Sequence, residues 1–379
     1  MLEKFELKET AFPLTPHLSN EVAWYGFPEL KKKIKNTIAR SLTETSRVCT
    51  LNRGQWGVGK THAASFFSNK LNLPDFEDKY SKVYSYIIES PKETNKAFID
   101  FFNRVVNAVT FNEIKQCVSL CRQLAGDKVL EENILQMTKN EDVAHVLSRI
   151  NDDNLLMSKT YLNGGGTATD LKKLGVAKKL ITTHEFAVVL SGIFYVLINS
   201  GTSKNKPFNR LILWIDEMED LVYFPTRHYR PFTQALRDVI DKTTDHFTLF
   251  LNFTFTEPED LASIETVLGE AIMSRINQHI IFGQSQENDV QLYLKELLAD
   301  NRTGKGPYPS PETYPFGRDT FNMVVKACVS HTPRYINKFC DKLLRQIVDD
   351  PDIVGKNKPI VTSELVEKYI ARTIEDMDE

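Results

Sequence analysis

Cysteine is scarce in this chain of 379 residues: there are five, an odd number, and their positions show no paired spacing. A disulfide framework of the kind found in small secreted proteins is therefore excluded. Cys117 and Cys121 fall on one face of a predicted helix, but no second Cys or His pair follows at the spacing of a zinc site. We expect five reduced thiols in a cytoplasmic protein.

The chain also lacks a long apolar segment and a dominant charge. Its longest apolar run, residues 186–198, is shorter than the roughly 20 residues that cross a bilayer, and Ser191 and Gly192 interrupt it. The first residues alternate charged and apolar side chains, so we expect neither a signal sequence nor a membrane partner. With 47 basic and 50 acidic residues the net charge is −3, which excludes a globally basic nucleic-acid coat but not a local basic surface.

What the sequence does contain is an alternation of apolar strands and helices. Near-continuous apolar strands separated by helices are typical of a parallel sheet that is covered on both faces. We therefore predict an α/β fold, an αβα sandwich around a parallel sheet. The predicted strands are residues 47–51, 83–88, 211–215 and 247–255.

Residues 111–183 do not fit this alternation. They form several short helical patterns with a flexible tip at Gly164–Gly166, which we interpret as a helical insertion in the α/β domain. Beyond it the pattern becomes helical to the end. The predicted segments are an N-terminal arm, the α/β domain, a C-terminal helical lid and a tail, with bounds 1–20, 21–284, 285–350 and 351–379.

One motif carries phosphate chemistry. Residues 54–61 match G-x-x-x-x-G-K-[ST] without a mismatch, between a predicted strand and a helix that begins at Lys60. Glycines let backbone N–H groups turn toward phosphates, Lys60 supplies positive charge to the β and γ oxygens, and Thr61 offers a hydroxyl to Mg²⁺. This pattern predicts ATP or GTP binding. The nucleotide-binding residues predicted in this segment are Gly54, Gln55, Trp56, Gly57, Val58, Gly59, Lys60, Thr61 and His62.

A second motif supplies the carboxylates that such a loop requires. Residues 211–217 are an apolar strand followed by Asp216 and Glu217. Ligands bind at the carboxyl ends of parallel strands, so both side chains are expected at the nucleotide. We predict that Asp216 holds Mg²⁺ through water and that Glu217 polarises the attacking water.

Three weaker features would refine the site. The strand 249–256 ends in hydroxyls, and Thr256, with Thr254 second, is predicted to contact the γ-phosphate or the lytic water; threonine also simply suits a strand. Arg275 follows an apolar helix and is either an arginine finger for a neighbouring subunit's nucleotide or part of a surface salt bridge. Arg334 opens a helix of the lid and is predicted to contact the phosphates of its own subunit.

Together these motifs resemble the AAA+ ATPases, most nearly the initiator-like branch of Orc1/Cdc6 and transposon-regulator ATPases. The resemblance spans about residues 20–350. It implies an αβα domain with a helical lid, ATP and Mg²⁺ as cofactors, hydrolysis, and sites completed between subunits of a homo-oligomer. Residues 24–29 stand where the family has its adenine-side box, which places Tyr25 at ATP, although Phe27 replaces an arginine that is frequent there. The residues that carry the resemblance are 54–61, Asp216, Glu217, Thr254, Thr256, Ser274, Arg275, Pro333 and Arg334.

The sequence offers two basic surfaces for a partner. The loop after the second strand, residues 89–95, has no aromatic side chain, which disfavours the threading of protein chains by this kind of ATPase. Phosphate pairing at either basic surface would give salt-sensitive, sequence-independent DNA binding, whereas the alternative is an ordinary solvated face. The first surface comprises Lys159, Lys172, Lys173, Lys178 and Lys179, and the second comprises Arg227, His228 and Arg230.

Two classes of function stay open at this point. The first is an oligomeric ATPase that acts on DNA, in replication, transposition or mobile-element defence, or that recruits a nuclease or transposase to DNA. The second is a nucleotide-gated switch that holds a partner protein through the insertion and uses hydrolysis only to reset.

Overall fold

The computed structural model describes residues 1–15, 22–69, 80–93, 95–255, 261–283 and 285–377. Within these residues the fold consists of five β-strands, fifteen α-helices and short 3₁₀ turns. The strands β1 to β5 are Val48–Gly54, Val83–Glu89, Arg210–Asp216, Phe247–Thr254 and Gln278–Ile281.

The strands form one parallel sheet in the order β2-β3-β4-β1-β5. In its register Glu89 of β2 pairs with Asp216 of β3, and Ile215 pairs with Leu251 of β4. β3 and β4 are buried along their whole length, as expected for strands that are covered on both faces. The predicted α/β class is confirmed, and the carboxyl ends of the strands lie at one edge of the sheet.

The helices alternate with the strands except where the insertion interrupts them. Helices α1 to α3 are Pro28–Thr43, Lys60–Ser68 and Ala97–Val109. The insertion contains α4 to α8, which are Phe111–Ala125, Asp127–Thr138, Glu141–Ser148, Leu155–Leu162 and Ala168–Leu174. Helices α9 to α15 are Thr183–Asn199, Thr226–Lys242, Leu261–Met273, Glu287–Asp300, Arg318–Ala327, Pro333–Ile347 and Ser363–Glu375.

The longest apolar run of the sequence forms α9. Thr182 and Glu185 make reciprocal side-chain bonds to the backbone at its start, and the residues from Phe186 to Ile198 are buried apart from Tyr195. No helix among the described residues has both the length and the apolar character needed to cross a membrane.

The contacts divide the chain into two compact units. The sheet unit comprises residues 34–53 and 67–280 and contains the sheet, the insertion and the apolar core around α3 and α9. The helical unit comprises residues 1–33, 54–66 and 281–379 and has its own core, to which α12, α13 and α14 contribute. The phosphate loop therefore groups with the helical unit.

The ends of the chain belong to the helical unit as well. Leu2, Phe5 and Leu7 of the predicted arm are fully buried in its core, and so are Val361 and Val366 of the predicted tail. The physical reason is that both segments carry apolar side chains on one face, which pack against the lid helices. These segments therefore belong to the same compact unit as the lid helices, and the predicted bounds at residues 20 and 350 stay predictions.

Candidate nucleotide-binding and hydrolysis site

The loop between β1 and α2 adopts the conformation that its glycines permit. Gly57 and Gly59 have φ angles of +76° and +96°, a region that side chains other than glycine rarely adopt. A Cβ atom on Gly57 would lie 2.6 Å from Cβ of Arg334, and one on Gly54 would lie 2.8 Å from Cβ of Phe282. The loop is therefore closely packed against the residues that follow β5 and against the start of α14.

The start of α2 is suited to an anion. Its first turn contains no acidic side chain, and the first N–H groups of a helix have no acceptor within the helix. Lys60 is 6% exposed, and its Nζ donates to the carbonyl oxygens of Gly54 (2.8 Å) and Gln55 (2.9 Å). The ammonium group thus lies inside the loop, where phosphate oxygens would be strong competitors for its hydrogen bonds.

Arg334 lies beside the phosphate loop of its own chain, and the phosphate contact of its side chain stays a prediction. Its backbone N–H donates to the carbonyl oxygen of Gly57 (3.4 Å), while its side chain is exposed. Thr332 caps α14 by accepting from the N–H of Tyr335, and Pro333 occupies the first turn. The cap and the proline set the position of the arginine beside the phosphate loop.

Trp24 makes ring contacts with α2, and the sequence analysis does not predict this contact. Its ring lies 5.8 Å from that of His62 and 5.4 Å from that of Phe66. Burial lowers the pKa of His62, so this imidazole is neutral near pH 7. Trp24 therefore packs by tilted and edge-on ring contacts against the helix that follows the phosphate loop.

Tyr25, which the resemblance places at ATP, makes its contacts elsewhere. Its hydroxyl donates to the Asp300 carboxylate (2.5 Å), and its ring packs edge-on against Tyr293 of α12. Gly26 and Phe27 have φ angles of +57° and +47°. This left-handed pair turns the chain before α1 and puts neighbouring side chains on different surfaces, a turn that residue spacing alone does not reveal.

In the sheet unit, Asp216 ends a row of buried polar side chains that crosses three adjacent strands. Asn52 of β1 donates through Nδ2 to Oδ1 of Asn252 (2.8 Å), and Asn252 donates to Oδ1 of Asp216 (3.1 Å). Both asparagines are fully buried and Asp216 is 4% exposed. The row fixes one carboxylate oxygen, and the other oxygen can accept from a water molecule bound to Mg²⁺.

Asn252 is therefore the β4 side chain that contacts the predicted metal residue. Thr254 is bonded through its backbone, which donates to Oε2 of Glu219 (2.9 Å), and Thr256 lies outside the described residues. The hydroxyl roles predicted for these threonines stay predictions. A signal for Asn252 was present, because an amide in a strand that is predicted to be buried requires a hydrogen-bond partner.

Glu217 directly follows β3 with a φ angle of +56°, a strained conformation for a residue with a side chain. Its carboxylate forms an ion pair with Nζ of Lys92, which also pairs with Asp220 (2.6 Å). Partial burial opposes the effect, yet these hydrogen bonds raise the pKa of Lys92. The predicted base is thus held by a cation from the loop after β2.

Arg275 is engaged within its own chain. Its Nε and Nη2 donate to the two carboxylate oxygens of Asp241 (2.5 and 2.6 Å), and this bond lowers the pKa of Asp241. The structure therefore contains the salt bridge, which is one of the two roles that the sequence allows for Arg275. A finger role would require the guanidinium to exchange this partner for a phosphate.

The two predicted basic surfaces differ in their surroundings. Lys172 and Lys173 lie in the last turn of α8, where cations complement the helix dipole, and Lys178 pairs with Glu185 (3.0 Å). Arg227 and Arg230 lie instead near the start of α10, where the dipole opposes positive charge. The lysines of the first surface thus have structural roles that the arginines of the second lack.

The strand, the glycine-containing loop and the helix that begins at Lys60, placed in a parallel sheet, constitute a P-loop α/β fold. This is the fold that the resemblance to AAA+ ATPases predicts. No protein-family model matches the sequence, and a search of curated proteins finds no match.

The comparison with solved structures returns proteins whose TM-scores to this chain are below 0.5. Aeropyrum pernix ORC1, solved in complex with DNA, is 9% identical with a TM-score of 0.48, and the match covers 98% of this chain and 70% of that one. Drosophila ORC bound to DNA is 12% identical with a TM-score of 0.48, and the match covers 100% of this chain and 66% of that one. The E. coli MS115-1 HORMA:CdnC:Trip13 complex is 11% identical with a TM-score of 0.44, and the match covers 92% of this chain and 88% of that one.

Proposed function

We propose that this chain binds ATP with Mg²⁺ and hydrolyses it to ADP and phosphate. The observation that carries the proposal is the helical unit's own arrangement: buried Lys60 inside the loop, Arg334 bonded to Gly57, and Trp24 against His62. These groups match, in order, the β/γ-phosphates, the phosphate charge and the base of a nucleotide.

The division of roles follows from the chemistry of each side chain. Thr61 and Asp216 are the residues that would hold Mg²⁺, which neutralises phosphate charge when it is bound. Asn252 orients Asp216, while Glu217 accepts the proton of the attacking water. Because Lys92 pairs with Glu217, the base becomes fully available when this ion pair opens. ATP binding and the onset of hydrolysis are therefore separable events in this protein.

The proposal is tested by measuring phosphate release by the purified full chain at saturating ATP, with and without EDTA. We expect turnover that EDTA abolishes. We also expect a change in tryptophan fluorescence on ATP binding, since Trp56 in the loop is 60% exposed and Trp24 contacts α2. The absence of both ATP binding and phosphate release at millimolar nucleotide would overturn the proposal.

We further propose that Arg275 acts on the nucleotide of a neighbouring copy in a homo-oligomer. Replacing Arg275 with alanine should reduce hydrolysis by about 10³-fold or more while ATP affinity is retained, because a finger stabilises only the transition state. The measurement is the rate per subunit over a range of protein concentrations, with ATP affinity by titration. In the wild type this rate should rise as copies associate.

Asp241→Asn is the matched control for the Arg275 experiment. It breaks the same ion pair but keeps the arginine, so it should retain hydrolysis. Equal losses in both variants would show that the ion pair is structural and would remove the finger assignment.

For the partner we propose DNA, with recruitment of a nuclease or transposase as the related role. The observation that favours it is the pair Arg227 and Arg230, which have no carboxylate partner among the described residues and no structural reason for their position. The competing candidate is a switch that holds a protein, and the five-helix insertion supplies a surface for it. Stimulation of hydrolysis by DNA distinguishes the two.

A further inference from the structure

A surface outside the ATP site lies where the 3₁₀ helix Met218–Tyr223 leads into α10. Tyr223 is 83% exposed and Val222 is 38% exposed, although most large apolar and aromatic side chains of this chain are buried. Arg227 and Arg230 follow, both exposed, and the one side-chain bond of Arg227 within the described residues is to the neighbouring His228 ring (3.2 Å). We call the set Val222, Tyr223, Arg227 and Arg230 the Tyr223–Arg230 surface.

The start of α10 contains several features that destabilise a helix. Pro225 at the cap provides no side-chain acceptor, and the first turn contains no acid. Arg227 lies in the first turn of α10, at the positive end of the helix dipole, where a cation is unfavourable, and Arg230 follows in the next turn. Pro231 inside the helix also has no N–H for the carbonyl of Arg227. Such unfavourable residues, when no contact compensates for the stability that they cost the helix, are expected at functional positions.

The positive charge of this surface is not neutralised by the acids nearest in sequence. Asp220 pairs with Lys92, and Glu219 is buried and accepts from the backbone N–H of Thr254. Asp238, about two turns further along α10, pairs with Arg237 (2.9 Å). The surface therefore presents an exposed ring beside two unneutralised guanidinium groups.

We infer that the Tyr223–Arg230 surface binds single-stranded nucleic acid, with a base stacked on Tyr223 and adjacent phosphates paired with Arg227 and Arg230. The arginines are three residues apart, which puts both side chains on one face of α10. A base can stack on the exposed ring only if its own face is free. In a duplex the faces of the bases are already covered by their neighbours, so a single strand is required. This inference rests on the proposed action on nucleic acid and specifies its form.

The surface is also linked to the catalytic base. The 3₁₀ helix that ends at Tyr223 begins directly after Glu217, and Lys92 contacts both Glu217 and Asp220 of this segment. A strand that binds at Tyr223 and moves this short helix would change the Lys92 ion pairs. Single-stranded nucleic acid should therefore alter the rate of ATP hydrolysis in addition to binding.

The test is equilibrium binding of the full chain to a fluorescein-labelled oligothymidine of about 20 nucleotides, followed by anisotropy at several salt concentrations. Tyr223→Ala should weaken binding by about 5- to 100-fold, whereas Tyr223→Phe should retain it. The double variant Arg227→Ala/Arg230→Ala should reduce the log–log salt slope by about 1.4, from about 0.7 per phosphate contact. Lys32→Ala/Lys35→Ala removes the same charge from two exposed positions three residues apart on α1, and it should leave both affinity and slope unchanged.

Three results would overturn the inference. The first is an equal affinity for a duplex together with no effect of Tyr223→Ala. The second is displacement of the labelled oligonucleotide by polyglutamate as effectively as by the unlabelled oligonucleotide. The third is no binding at low salt. The second would identify an acidic protein segment as the occupant. Phosphate release is measured on the same samples. Lost oligonucleotide binding with intact hydrolysis overturns this inference alone, and lost hydrolysis with intact binding overturns only the ATPase proposal.

Discussion

Lys60→Ala is expected to abolish ATP binding, with affinity reduced by about 10²- to 10⁴-fold. The ammonium group lies inside the loop with carbonyl oxygens at 2.8 and 2.9 Å. Its hydrogen bonds to phosphate oxygens would be charge-assisted, at about 1.5–3 kcal/mol each, and alanine removes at least two. The measurement is calorimetric titration with ATP and Mg²⁺.

The control for this experiment is Lys35→Ala, which removes one exposed lysine from α1 and should leave the affinity unchanged. Circular dichroism melting curves of both variants establish that they fold. An affinity for ATP that survives Lys60→Ala in a folded protein would remove residues 54–61 as the phosphate site.

Glu217→Gln is expected to leave ATP bound but unhydrolysed. The substitution keeps the size of the side chain at a strained backbone position, while it removes both the proton acceptor and the charge that pairs with Lys92. Loss of a general base costs about 10²- to 10⁴-fold in rate. The measurement is single-turnover hydrolysis, with retained ATP quantified by rapid filtration.

Asp220→Asn serves as the control for Glu217→Gln. Both carboxylates pair with Lys92, but only Glu217 is assigned to the water. We expect Asp220→Asn to keep hydrolysis within a few fold of the wild type. A normal single-turnover rate in Glu217→Gln would transfer the role of base to another residue.

The sequence predicts those parts of the site whose chemistry is local. The phosphate loop depends on glycines, a lysine and a hydroxyl at adjacent positions, and β3 depends on an unbroken apolar run that ends at Asp216. Both can be predicted because the motif and its geometry lie within a few residues.

The parts that could not be predicted depend on contacts between distant segments. Asn252 meets Asp216 only because β3 and β4 are neighbours in the sheet, and the strand order is not written in the sequence. Trp24 and Tyr25 are adjacent, and the left-handed turn at Gly26 determines which of them reaches α2. The same holds for Arg275, whose carboxylate partner is Asp241 on a different helix.

The helical unit is assembled from three separate stretches of chain, and its phosphate loop is the middle one. Arg334 and Phe282, which approach Gly57 and Gly54, both come from the last stretch. A protease cut after residue 280 would therefore leave a fragment that retains the whole motif but lacks the walls that shape it.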